Sequence, residues 1–162
     1  MANEGEHPTL YQWAGGRASF ERLTEAFYRK VLQDDLLRLL FQGMEAGHAR
    51  YVSTWFAEVF GGPPEYTATR AGYPHMLSKH RNLAITPSQR ARWVALISDA
   101  ADEAGLPVDP EFRSAFMAYV EWGTRLAVAN SQLDARPPEH APVPRWGWGE
   151  APPYPAAEAP TS

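Results

Sequence analysis

Apolar residues recur at helical spacing up to about Ser131, and no alternating run is long enough to predict a strand. One face of a helix returns every three to four residues, so this spacing indicates amphipathic helices. Beyond Ser131 the chain is rich in proline, which has no amide hydrogen for a helical hydrogen bond. The pattern predicts one all-α domain followed by a tail that is not helical.

Stripes and capping residues set the helix bounds. The capping box Thr86-Pro87-Ser88-Gln89 and the pair Asp109-Pro110 each mark a helix start, and Gly61-Gly62-Pro63 marks a helix end. The predicted helices cover residues 19–33, 35–41 (short), 45–60, 87–105 and 110–131. Residues 64–84, with Gly72 and Pro74, are predicted to be mostly irregular, with one short helix around 75–81. Long irregular segments in compact domains are usually functional, and a cofactor is expected to replace missing core here.

The amino-acid composition limits the possible metal ligands and partners of the protein. At 162 residues the chain is expected to form one folded domain, and 12% of its residues are aromatic, six of them Trp. Cysteine is absent, so a metal must be held by His, by a carboxylate or within a cofactor. The net charge of −4 argues against nucleic acid or an anionic membrane as the main partner. The first residues lack the pattern of a signal peptide and no segment is long enough to span a bilayer, so a cytoplasmic location is expected.

The histidines are the candidate metal ligands. His75 and His80 are five residues apart, so on one helix they differ in direction by roughly 140° and cannot both bind the same metal. One of the two is a ligand, or neither is, because a lone histidine is more often hydrogen-bonded in the structure or at the surface. His48 shares a helical stripe with Val52 and therefore points inward.

A family resemblance favours one of these choices. The residues that carry it are Gly15-Gly16, Phe20, Phe27-Tyr28, Val31, Glu58-Val59-Phe60-Gly61-Gly62-Pro63, Tyr66, Met76-Leu77, His80, Ile85-Thr86 and Trp93. In this order and spacing they resemble the truncated haemoglobins of the second group, over about residues 10–131. The resemblance implies a two-over-two α-helical sandwich around haem b. It also implies that His80 is the proximal iron ligand and that Tyr28 and Trp93 face the bound gas.

The resemblance extends to the pocket walls. The residues expected to contact the haem, besides His80 and Trp93, are Phe41, Val52, Tyr66, Met76, Leu77 and Lys79. Lys79, and more weakly Arg81, is a candidate partner of the haem propionates. Phe41 aligns with a position that is often tyrosine, so one hydrogen bond to the ligand is lost. His48 aligns with the distal histidine of larger globins, and we favour a gate or a hydrogen-bond donor over a sixth iron ligand.

The implied function is reversible binding of O2 and other diatomic gases. Two distal donors imply slow release, which favours sensing, nitric oxide dioxygenation or peroxide reduction over oxygen transport. The chain has no flavin or nicotinamide domain, so an enzymatic cycle requires an external reductase. Whether the protein is an enzyme, and whether it is a monomer or a homodimer, stays open at this point.

A haem-free alternative remains. For Tyr28 and Trp93, packing in an ordinary helical core is an equally simple explanation of their spacing. The protein is then a helical interaction module whose Pro/Trp-rich tail binds a partner. The predicted division is an N-terminal extension at 1–9, the domain at 10–131 and a tail at 132–162. We expect the tail to be disordered, with the alternative that Trp146 and Trp148 fold back onto the domain.

Overall fold

The computed structural model describes residues 7–44, 47–70, 72–138 and 141–153. Within these residues it contains seven α-helices, one 3-10 helix and no strand. The helices are α1 Leu10–Ala14, α2 Arg17–Leu32, the 3-10 helix Arg38–Phe41, α3 His48–Val59, α4 Glu65–Arg70, α5 Tyr73–His80, α6 Pro87–Glu103 and α7 Pro110–Ser131. The all-α prediction is confirmed, and α2, α3, α6 and α7 match the long predicted helices. The predicted start of the third helix, at residues 45 and 46, lies outside the described residues.

The short helix predicted around 75–81 is confirmed as α5, but the prediction that the rest of 64–84 is irregular is wrong, because α4 occupies residues 65–70. Helices of six and eight residues are too short to show a repeated apolar stripe, so the local pattern gave no signal for the first of them. Pro74 lies in the first turn of α5, where its missing amide hydrogen breaks no helical bond.

The short helix predicted at 35–41 is only partly correct. The chain turns after α2, and only Arg38–Phe41 forms a 3-10 helix. The Asp34 carboxylate accepts hydrogen bonds from the amides of Leu36 and Leu37, at 3.0 and 3.1 Å, and this holds the preceding residues in a turn. The turn directs Phe41 toward α2 and the start of α3.

The core forms where four long helices meet. Helix α2 packs against α3 and α6, and α6 packs against α7. Phe60 lies at the end of α3, and its ring is 5.7 Å from Phe20 of α2 and 5.5 Å from Phe116 of α7. These aromatic contacts connect α3 to both helices. Aromatic pairs at these distances add stability beyond the area that they bury. Helix α5 packs against α7 and carries His80 at its last position.

The two glycines after α3 are required by close packing. Gly61 has φ +96°, in the left-handed region that favours glycine. The Gly62 amide donates to the Ala57 carbonyl at 2.7 Å, and a Cβ at Gly62 would lie 2.7 Å from that oxygen and 2.8 Å from the Tyr11 ring. The glycines therefore end α3 and let α1 pack closely beside it.

Gly62→Ala is expected to destabilise the protein by about 1–3 kcal/mol, because the added methyl group collides with backbone as well as with a ring. Gly43→Ala is the matched control, since a Cβ at Gly43 would meet nothing within 4 Å. We expect the control to stay within about 0.5 kcal/mol of the original protein. Urea unfolding followed by circular dichroism measures both changes, and equal effects of the two variants would contradict the packing argument.

The described part of the tail is extended and packs on the domain. The Trp146 amide donates to the Val59 carbonyl at 2.8 Å, and the Trp148 indole N–H donates to the Pro8 carbonyl at 2.7 Å. For residues 141–153 the fold-back alternative therefore describes the chain, rather than the disorder that we expected. The proposed domain boundaries at residues 9 and 131 stay predictions. Each helix in the described ranges is too short or too polar to cross a membrane.

Candidate functional site

A cavity of about 410 Å³ opens among the helices. This volume falls within the usual range for small-molecule and cofactor sites, roughly 300–1,000 Å³. The structure places ten predicted site residues on the cavity wall: Tyr28, Phe41, His48, Val52, Tyr66, Met76, Leu77, Lys79, His80 and Trp93. Their individual roles stay predictions. Arg81, the weaker propionate candidate, is exposed and is not part of the wall.

His80 is held in one orientation by its own helix. Its Nδ1 lies 3.0 Å from the Met76 carbonyl oxygen, one turn earlier in α5. A carbonyl only accepts hydrogen bonds, so Nδ1 carries the hydrogen and Nε2 keeps its lone pair. Burial lowers the pKa of His80, and the bond to Met76 only partly opposes this shift. The imidazole is therefore neutral near pH 7, which is the form that binds metals.

The second histidine of this segment also reaches the cavity. His75 is half-buried, lines the wall and lies 6.3 Å from the Tyr66 ring, measured between ring centroids. Position alone thus does not separate His75 from His80. The family resemblance selects His80, and its Nδ1 hydrogen bond keeps that imidazole neutral and oriented.

Tyr28, His48 and Phe41 form an aromatic group on another part of the wall. The Tyr28 hydroxyl oxygen lies 3.1 Å from His48 Nε2, and the two rings are 5.1 Å apart at 90°. The Phe41 ring lies 5.7 Å from Tyr28 and 6.3 Å from His48. Burial raises the pKa of Tyr28, so its hydroxyl stays protonated and can donate. The prediction that His48 points inward is confirmed.

Trp93 packs against α2 from the next helix. Its ring lies 4.7 Å from Phe27 at 66°, an edge-to-face contact, and it is half-buried. Phe27 in turn lies 5.0 Å from Tyr28. Trp93 and Tyr28 are thus positioned through one shared, fully buried neighbour, and both reach the cavity.

The sequence interpretation missed the wall that α7 provides. The Trp55 indole N–H donates to the Tyr119 hydroxyl at 2.8 Å, and both side chains line the cavity. Tyr119 is a buried residue of α7 that the sequence did not identify as part of the site. Arg70 was also missed, and its guanidinium lies 3.8 Å from the centroid of the Tyr51 ring. Its helix was not predicted, so no local signal identified it.

Alkaline pH is expected to destabilise the fold through two buried tyrosines. Burial raises the pKa values of Tyr28 and Tyr119 above the ordinary value, which is about 10. Above that pH the unfolded chain loses the phenol protons and the folded chain keeps them. The contribution of the two tyrosines to the free energy of unfolding is therefore fully present below about pH 10 and is lost as pH rises. The expected slope is about 1.4 kcal/mol per pH unit for each tyrosine. Urea unfolding from about pH 9 to about pH 11, on either side of the ordinary tyrosine pKa, measures this slope. A Tyr28→Phe/Tyr119→Phe variant with the same slope would contradict the prediction.

Comparisons with known proteins agree with this architecture. A family model described as bacterial-like globin matches residues 9–123. The group 2 truncated hemoglobin YjbI of Bacillus subtilis is 27% identical over 121 residues, which cover 75% of this chain and 89% of that protein.

Solved structures give the same result. A hemoglobin from the thermophilic phototroph Chloroflexus aurantiacus is 30% identical with a TM-score of 0.67, covering 75% of this chain and 98% of that one. A group II 2-on-2 hemoglobin from Agrobacterium tumefaciens is 26% identical with a TM-score of 0.65, covering 80% of this chain and 98% of that one. The chain belongs to the bacterial-like globin family and is similar to truncated haemoglobins of the second group.

Proposed function

We propose that the cavity holds haem b with His80 as the proximal iron ligand, and that Tyr28 and Trp93 bind O2 and other diatomic ligands on the distal side. Membership of the family implies a haem cofactor and the binding of diatomic ligands. The observation that carries the assignment to His80 is its Nδ1 hydrogen bond to the Met76 carbonyl. That bond keeps the hydrogen on Nδ1 of a neutral ring, so Nε2 carries the lone pair that an iron ligand requires.

The cavity walls fit a flat, mostly apolar cofactor. Aromatic and aliphatic side chains line it from α3, α5 and α6, including Val52, Phe56 and Leu77. When bound, haem supplies a ferrous iron to which a diatomic gas adds reversibly. The apolar walls exclude water from the site, and this slows oxidation of the iron. The exposed Lys79 at the cavity supports a role in pairing with a propionate.

On the distal side we propose that Tyr28 and Trp93 donate hydrogen bonds to the ligand. The 3.1 Å contact between the Tyr28 hydroxyl and His48 Nε2 supports a role for His48 as well. With the hydrogen on Nε2, His48 donates to the Tyr28 oxygen, and the phenol keeps its own hydrogen for the ligand. With the hydrogen on Nδ1, Tyr28 donates to His48, and the ligand must compete for that donor. His48 is therefore proposed as a modulator of Tyr28 rather than a sixth iron ligand.

Slow ligand release follows from two distal donors. It favours sensing, scavenging or redox chemistry, such as nitric oxide dioxygenation or peroxide reduction, over transport. Such a redox cycle needs electrons, and we propose that an external reductase supplies them.

The test is a haem titration of the purified protein followed by visible absorption. The proposal predicts saturation at one haem per chain, a sharp Soret band, and a shift of that band when carbon monoxide is added to the reduced protein. A colourless protein that does not take up added haem would overturn the proposal. That outcome would leave the haem-free interaction module as the explanation of the aromatic helices.

A further inference from the structure

Residues 141–153, which we name the C-terminal strap, lie outside the region 9–123 that matches the family model. The shared globin activity therefore does not explain them. Three separate sets of contacts hold the strap on the domain, and each leads toward the cavity or the elements around it.

The first contact completes the end of α3. The last carbonyls of a helix have no partner within the helix. At α3 the carbonyls of Phe56, Ala57 and Glu58 accept from the amides of the turn at residues 60–62. The carbonyl of the fully buried Val59 accepts instead from the amide of Trp146, at 2.8 Å. The strap thus supplies a hydrogen bond that the α3 turn does not provide for Val59.

The second contact supports the cavity wall from behind. The Trp146 ring lies 5.6 Å from Tyr119 and 5.5 Å from Trp122, both of α7. Tyr119 accepts the hydrogen bond of the Trp55 indole, and both of these side chains line the cavity. Trp146 therefore packs on the outer side of a wall whose inner side faces the proposed haem.

The third set of contacts brings the strap to the cavity itself and fixes its far end. Pro144 lines the cavity, and Val143 lies 3.7 Å from the place of a Cβ at Gly72, the residue that precedes α5. Further along, Trp148 packs edge-to-face on Trp13 at 5.6 Å and donates to the Pro8 carbonyl. The strap thus contacts the residue before α5 through Val143, the end of α3 and the α7 rings through Trp146, and α1 through Trp148.

We propose that the C-terminal strap closes this side of the haem cavity and slows loss of the cofactor, with Trp146 as the positioning residue for the wall made by Tyr119 and Trp55. The inference rests on the proposed haem site. Removal of the Trp146 ring loses two aromatic contacts, and on the usual size of such contacts haem loss should become roughly tenfold faster.

The experiment measures transfer of ferric haem from the full-length protein to an excess of apomyoglobin, well below the unfolding temperature. Trp146→Ala is expected to lose haem roughly tenfold faster. Trp146→Phe, which keeps a ring, should restore most of the retention. Leu133→Ala, at a side chain that is 78% exposed, is the control and should behave as the original protein does. If Trp146→Ala does not accumulate, truncation after Ser131 provides the same comparison.

Three outcomes would overturn the inference, and they are distinguishable. If the original protein holds haem and Trp146→Ala loses it at the same rate, the strap does not retain the cofactor. If Trp146→Phe loses haem as fast as Trp146→Ala, an aromatic ring at this position does not retain the cofactor, and the positioning role assigned to Trp146 is wrong. If the original protein itself retains no haem, the proposed function fails and this inference fails with it.

Discussion

Replacement of His80 by alanine is expected to lower the affinity for haem by roughly a hundredfold or more and to change the Soret band of any haem that remains bound. The Nδ1 bond to Met76 leaves Nε2 as the proposed ligand atom, and alanine offers no atom in its place. Aromatic packing alone does not substitute for that bond, since it does not coordinate iron. Haem titration and the spectrum of the ferrous carbon monoxide complex measure both effects.

His75→Ala is the matched control, because His75 belongs to the same helix and lines the same cavity. It should keep the ligand-dependent spectrum of the original protein. Addition of imidazole to a His80→Gly variant should restore that spectrum, since the free molecule occupies the space of the lost side chain. Loss of the spectrum in His75→Ala, with His80→Ala unaffected, would reassign the iron ligand.

Tyr28→Phe and Trp93→Leu are each expected to accelerate oxygen release by roughly ten- to a hundredfold. A hydrogen bond to a charged or strongly polar group contributes about 1.5–3 kcal/mol, and each substitution removes one proposed donor. Tyr28→Phe keeps the ring that contacts Phe27 and Phe41, so its effect reports on the hydroxyl group. Stopped-flow displacement of oxygen by carbon monoxide measures the release rate.

Tyr119→Phe is the control for this prediction. It also removes a buried hydroxyl group at the cavity, but that hydroxyl is not one of the two proposed distal donors. We expect its oxygen release rate to stay within about threefold of the original, well below the effect of a lost donor. Release rates for Tyr28→Phe that match those of Tyr119→Phe would remove Tyr28 from the distal site.

Local pattern predicted the long helices well and the short ones poorly. The stripe of α6, with its capping box at Thr86 and Gln89, is present as expected, because both signals lie within neighbouring residues. Helix α4 has no such stripe, and its carboxylate neighbour Glu58 lies in α3, where it accepts from the amide and hydroxyl of Thr67. A helix start that is held by another element leaves no signature in its own sequence.

The candidate site was also predicted only in part. The family resemblance identified His80, Tyr28 and Trp93, and the cavity brings all three together. It did not identify the hydrogen bond between Trp55 and Tyr119, which joins residues 64 positions apart. Nothing in the spacing of either stripe distinguishes an aromatic residue that packs in the core from one that faces a cavity.

The sequence by itself determined which segments become long helices, where α3 stops, and which residues are candidates for holding haem. These are properties of local periodicity, glycine geometry and capping, together with a family pattern. Only the tertiary structure decided the pairing of Tyr28 with His48 and the course of the C-terminal strap, whose Trp148 bonds to Pro8 across 140 positions. Contacts of that kind form when helices that are distant in the sequence pack together, so their free energy does not depend on the residues of any one segment alone.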